Sequence, residues 1–216
     1  PLGIKIAVIS NASLVSRADV REELAQADWV SLKADAAEEH TWHRLDRPHR
    51  SLDLAEIQQG MLTFAQSYQG ALMTETMLVD GINDGEADIQ QVADFLARLQ
   101  PACAYLAIPT RPPAEPWAVP PGEAVINRAY QLLSERVAHV EYLIGYEGNA
   151  FAFTGNVEED LLSITSVHPM REDAVAAFLV RAGADWNVVR RLVSQEQLVE
   201  TDYRDHRFYL RKLKRH

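Results

Sequence analysis

Lys33 and Asp35 stand two residues apart in WVSLKADA, residues 29–36, a stretch that otherwise has the composition of a buried β-strand. Side chains alternate across a strand, so Trp29, Ser31, Lys33 and Asp35 share one face, and Val30, Leu32 and Ala34 share the other. Two opposite charges on one face of an apolar strand are costly unless they pair, hydrogen-bond or meet water. Comparable polar groups stand at four other places: Ser10-Asn11, Thr74-Glu75-Thr76 with Asp80 to Asn83, Pro109-Thr110-Arg111, and Tyr146-Glu147-Gly148-Asn149.

Each of these places ends an apolar run. IKIAVIS (4–10) leads into the helical pattern RADVREELAQA (17–27), and WVSLKAD (29–35) into AAEEHTWHRLD (36–46) and SLDLAEIQQGMLTFAQSY (51–68). ALMTETMLV (71–79) leads into ADIQQVADFLARL (87–99), AYLAIPT (104–110) into GEAVINRAYQLLSER (122–136), and VAHVEYLIG (137–145) follows. Strands alternating with amphipathic helices predict βαβ units and a mostly parallel sheet, open or closed into a barrel. Ser51 followed by Asp53 is expected to cap one helix, and Asp84 to precede another with Glu86 and Asp88 in its first turn. In such architectures ligands bind at the carboxyl ends of the strands, where all five polar groups fall. Taken singly, Asn11 has a loop-capping alternative, Glu75 a pairing with Lys33, and Asn83 a turn role.

Other chemistries find little support. His40, His43 and His49 lie near Asp46, but a catalytic metal needs a third ligand held rigidly, and a solvated helix end explains them as well. No P-loop, dinucleotide-type glycine loop, G-x-S-x-G elbow or H-E-x-x-H is present. The single cysteine, Cys103, precedes a strand and is expected to be a buried core thiol. No apolar run is long enough for a membrane span, and a cytoplasmic protein is the expectation. Of the 216 residues, those from 156 onward are balanced in charge, so the net charge of -10 comes from the first 155. That excess disfavours a basic surface for duplex nucleic acid.

The last 60 or so residues change character. EEDLLSITS, MREDAVAAFLVRAG and ADWNVVRRLVSQEQL read as three short helices, and LVETDYRD and HRFYLRKL as a tight hairpin. Three helices and a hairpin is the pattern of a winged-helix module, which places a boundary near residue 155. Arg190, Arg191, Arg211, Lys212 and Lys214 would carry any nucleic-acid contact. In RPPAEPWAVPP (111–121) the prolines stiffen a loop in which Trp117 either packs over a ligand or covers a helix end.

VISNAS (8–13), WVSLKADA (29–36), RLDRPHRSLD (44–53), ETMLVDGIND (75–84), AYLAIPTRPP (104–113), EYLIGYEGNAFAFTGN (141–156) and SITSVHPM (163–170), in this order, resemble the radical S-adenosylmethionine (radical SAM) iron–sulfur oxidoreductases. The similarity is greatest to the subgroup of the tRNA wyosine-synthesis enzyme. It implies a partial (β/α) barrel over residues 1–155, and the helix and hairpin pattern adds the winged-helix-like module over 156–216. It also implies S-adenosylmethionine and a 4Fe–4S cluster as cofactors. The family's C-x3-C-x2-C loop is not in the chain, so a chain with one cysteine is expected to be a C-terminal part, inactive alone. By resemblance, Asn11, Lys33, Asp35, Glu75, Asn83, Ile108 and Arg111 are cofactor-side residues, and Arg47 is a substrate-side or structural residue. Trp117, Tyr146 and Asn149 complete the substrate-side candidates, with RNA among the substrates considered. The rival expectation is a non-catalytic remnant or binding module whose C-terminal segment contacts nucleic acid or protein.

Overall fold

The computed structural model describes residues 3–144 and 151–212, which form two compact units. The first comprises Pro1–Pro109 and Glu115–Ile144; the second comprises Thr110–Ala114 and Gly145–His216.

In the first unit five strands alternate with helices. They are β1 (Ala7–Ser10), β2 (Trp29–Lys33), β3 (Ala71–Met77), β4 (Cys103–Ala107) and β5 (Val140–Leu143). All pair in parallel, in sequence order. The helices are α1 (Ala18–Leu24), α2 (Glu39–Asp46), α3 (Leu54–Ser67), α4 (Glu86–Leu99) and α5 (Glu123–Ser134). The register aligns Leu32, Thr74, Ala104 and Val140 on one face and Lys33, Glu75, Tyr105 and Glu141 on the other. Val30, Leu32, Leu72 and Leu106 join Ile57, Met61, Phe64, Ile89, Leu96, Ile126 and Leu133 in one core. Fully burying side chains of this size contributes roughly 1.5–3 kcal/mol each, so the apolar face dictates which way every strand turns. The polar row is left on the face opposite that core.

Local chemistry sets the element ends. Asp53 caps α3, its carboxylate accepting from the Glu56 N–H at 2.9 Å. Asp84 precedes α4 as expected, with Glu86 and Asp88 in its first turn. Gly85 is the N-cap of α4, and Asp84 Oδ1 accepts from the Gly81 N–H at 2.9 Å, closing the preceding turn. The helix expected from residue 36 starts at Glu39, because Asp35 to Glu38 form the strand-end loop, with Glu38 accepting from the Thr41 N–H. Arg47 ends α2 in the left-handed conformation, φ 46°, just before Pro48. Ile9 of β1 and Ile4 just before it are 72% and 74% exposed, and among the described residues β1 pairs only with β2.

The second unit holds α6 (Val157–Val167), β6 (Met170–Arg171), α7 (Glu172–Ala182), α8 (Trp186–Ser194), β7 (Leu198–Tyr203) and β8 (His206–Arg211). Its sheet is antiparallel in the order β6-β8-β7, so a short strand joins the expected hairpin. Arg204 and Asp205 both have positive φ, 47° and 64°, which matches the twist of a two-residue hairpin turn. Its separate core includes Leu161, Met170, Phe178, Leu192 and Tyr209. No described helix is long and apolar enough to cross a membrane.

Helix α3 lies against the loop after β1 so closely that a methyl group at Gly60 would sit 2.6 Å from the Val15 carbonyl oxygen and the Ser16 nitrogen. Alanine normally stabilises a helix interior relative to glycine by roughly 0.5–1 kcal/mol. Here Gly60→Ala is expected to reverse that sign and destabilise by about 1–3 kcal/mol, read from urea unfolding. A stabilised variant would show that this close approach is absent.

Candidate functional site

The carboxyl ends of β2 and β3 meet through one lysine. Lys33 Nζ lies 2.9 Å from Glu75 Oε1 and 3.2 Å from Asp35 Oδ1. Lys33 and Glu75 are register partners, so the parallel pairing itself puts the two heads together. Burial opposes the lysine's charge, but Asp35 and Glu75 outweigh it and raise its pKa. Asp35 is 4% exposed. Its Oδ1 also accepts from the Met77 N–H at 2.6 Å, yet burial dominates and its pKa is raised.

Asn83 holds this corner in shape. Its side-chain nitrogen donates to the carbonyls of Asp35 (2.8 Å) and Met77 (2.9 Å), and its Oδ1 accepts from the Val79 N–H (2.8 Å). Both donors are therefore used within the protein. Thr76 Oγ1 donates to the Ala34 carbonyl at 2.8 Å, a second tie between the same two strand ends.

Beside the lysine lies a cavity of about 400 Å³, lined by Asn11, Lys33 and Asp35 from the strand ends, by Asp46 to His49 after α2, and by α3. Asp46 is exposed over much of its surface and lines the cavity together with Asp35. Burial at that inner wall, then the charge of Asp35, push its pKa up to about 7, with Lys33 opposing. Sequence reasoning passed over Asp46 as a site residue; its only signal was its place just before Arg47-Pro48.

The other expected residues distribute as follows. Asn11 Oδ1 accepts from the Ser13 N–H, shaping the loop after β1 at the cavity wall. Arg47 lines the cavity and pairs with Glu115 at 2.7 Å. Ile108 is a buried member of the core. Trp117 is partly exposed in the segment before α5. Arg111 belongs to the second unit, where burial and then its charge lower the pKa of His168. Tyr146 and Asn149 lie outside the described residues. His43 pairs with Glu39 at 3.1 Å, and His49 Nδ1 lies 2.8 Å from Ser51 Oγ. Among the described residues no group of three His, Cys, Asp or Glu side chains could hold a metal ion.

Two further groups stand on the polar face. Tyr105 and Glu141 continue the row from Lys33 and Glu75 across β4 and β5. Cys103 opens β4 rather than preceding it, on the face of Tyr105 and outside the apolar core cluster. It is buried, and burial, then Glu141, raise its thiol pKa. A raised pKa keeps it a thiol, and one such group falls short of the thiolate set of a 4Fe–4S cluster.

About two thirds of the chain is similar in fold to two solved proteins. A radical SAM methyltransferase from Sphaerobacter thermophilus superposes with a TM-score of 0.55 at 21% identity, over 66% of this chain and 40% of that one. A domain of a pyruvate-formate lyase-activating enzyme from Bacteroides vulgatus gives 0.53 at 18% identity, over 65% of this chain and 81% of that domain. In sequence, the chain is 38% identical over 213 residues to UPF0026 protein MJ1312 of Methanocaldococcus jannaschii, a name that states no function. The match covers 98% of this chain and 66% of that protein, just under two thirds of its length. No protein-family model matches.

The charges at this corner make two expectations. Lys33→Met leaves Asp35 and Glu75 without their cation and should cost about 3–5 kcal/mol in urea unfolding at pH 8, less at pH 5, where a carboxyl can take a proton. An undiminished stability at pH 8 would show that the lysine is not their counter-charge. Folded Asp46 keeps its proton to about pH 7, whereas the unfolded chain releases it near the ordinary carboxylate value, about 4. Its contribution is therefore fully present in acid and is lost as pH rises through about 7. Water at the exposed rim screens the repulsion. Asp46→Asn should accordingly raise Tm by only about 2–4 °C at pH 8 and leave it unchanged near pH 4.

Proposed function

We propose that the chain is the C-terminal part of a radical SAM 4Fe–4S enzyme that cleaves S-adenosylmethionine reductively to start radical chemistry on its substrate. The observation that carries this reading is the Lys33–Asp35–Glu75 network, at the carboxyl ends of adjacent parallel strands and on the face opposite the core. The likeness to radical SAM domains supports it. In this reading Glu75 supplies an acceptor suited to a ribose diol, and Lys33, set between Asp35 and Glu75, holds it in place. Asn83 acts by holding the strand ends together, and Ile108 by packing. Asn11 and Arg111 remain cofactor-side candidates, with Arg47, Trp117, Tyr146 and Asn149 on the substrate side.

The cluster does not fit the residues present, since the chain has one cysteine. In the proposed enzyme its ligands come from sequence outside this chain. The finer assignments also belong to this proposal: the wyosine-enzyme-like subgroup, oxidoreductase chemistry, RNA as substrate, a cytoplasmic location, and a barrel over 1–155 joined to a winged-helix-like module over 156–216.

For that C-terminal module, ion pairing favours protein contact over nucleic acid. Arg191 pairs with Glu158 and Lys212 with Glu196, Arg211 donates to the Leu162 carbonyl and Arg190 to Asn187 Oδ1, and Lys214 lies outside the described residues. Cations already matched by carboxylates offer little net charge to phosphate groups.

The decisive experiment uses the complete natural protein that contains this chain, reconstituted anaerobically with iron and sulfide and then reduced in the presence of S-adenosylmethionine. Formation of 5′-deoxyadenosine, reduced at least tenfold in Glu75→Gln, is the expected result. A cluster-loaded protein that yields none would overturn the enzyme reading.

A further inference from the structure

The cavity beside α2 and α3 carries a charge imbalance that the Lys33–Glu75 pair leaves unresolved. Its wall carries Lys33 with two carboxylates, Asp35 at 3.2 Å and Asp46, while Glu75, outside the wall, holds the same lysine at 2.9 Å. The second cation on its wall, Arg47, is committed to Glu115. Away from the carboxyls the lining turns apolar, with Trp42, Leu54, Ile57 and Met61. About 400 Å³ lies in the range of small-molecule sites, which combine apolar walls with a few convergent polar groups.

We propose that this cavity binds an organic monocation, a primary amine on a short apolar body, with the ammonium held between Asp35 and Asp46 and the body against Trp42, Ile57 and Met61. A primary ammonium brings three donors and no acceptor, which suits a corner rich in carboxylate oxygens. Its charge supplies what one lysine among three carboxylates does not. A carboxylate ligand would add a like charge, and a neutral alcohol would leave the excess in place. Asp46 is where ligand and proton compete. The charged and titratable groups around it are Asp35 and Lys33 at the end of β2, Glu75 beyond Lys33 on β3, and Arg47 and His49 on its own loop. Deprotonated Asp46 is the binding form, so affinity rises with pH. The inference stands on the lining of this cavity and needs no cluster.

Three probes with one apolar body test it: isopentylamine, isopentanol and isovalerate, each titrated into the protein by calorimetry and by NMR at pH 8 and pH 6. Isopentylamine should bind saturably at pH 8 and shift the Trp42 indole and Met61 methyl signals, about tenfold more tightly than the alcohol. Its binding should weaken several-fold at pH 6, and Asp46→Asn, with its thermal transition intact, should weaken it about tenfold. An alcohol or carboxylate that binds as well as the amine overturns the proposal, as does an unchanged affinity in folded Asp46→Asn. Should that variant not fold, the comparison of amine with alcohol in the unaltered protein decides alone. Displacement of the amine by S-adenosylmethionine would also overturn it, because the cavity would then belong to the cofactor of the radical reading.

Discussion

The ammonium of Lys33 is the charge around which this corner is arranged. It lies between a buried aspartate and a glutamate on the neighbouring strand. Withdrawing such groups from water costs several kcal/mol per ion, and that cost is met only when geometry and additional hydrogen bonds are both good. The parallel register supplies the geometry by placing Lys33 opposite Glu75. The Met77 N–H supplies the extra bond to Asp35. A shift of one residue in that pairing would turn Glu75 into the core and leave the lysine facing a neighbour on the wrong side. Register and charge thus enforce each other.

Asn83 and Thr76 make that arrangement rigid. Both bond backbone carbonyls near the end of β2, so the two strand ends cannot drift apart without leaving buried polar groups unsatisfied. Rigid support matters for any chemistry here, because a site loosened by even an ångström loses much of its power to orient a ligand. The polar row continues through Tyr105 to Glu141, so the face opposite the core is acidic beyond the lysine. The resulting surface is better suited to hydroxyl-bearing or cationic groups than to phosphate.

Much of the frame was legible in the amino-acid order. Alternation in WVSLKADA and ALMTETM separates the buried side of each strand from the polar side, and helical periodicity marks α3, α4 and α5. Parallel pairing then makes the strand ends converge, which is why Lys33, Asp35 and Glu75 could be grouped without coordinates. Asp46 escaped because it closes α2, and neither helix period nor composition says which residue of that helix end meets the end of β2. Asn83 was legible as a polar residue at a strand exit, but not as a clamp, since its partners lie 48 and 6 residues away. The allocation of Thr110–Ala114 to the second unit was equally hidden, because proline content describes the stiffness of a loop and not the body it joins.

The exposed isoleucines along β1 have a consequence for handling the molecule in solution. Among the described residues β1 pairs on one side only, and an edge with bulky apolar side chains is a template for a further strand. Colloidal behaviour should therefore vary with concentration and salt even though the net charge of -10 favours dispersal. Screening that charge removes the repulsion while leaving the apolar edge intact, so salt favours the pairing of a further strand with β1.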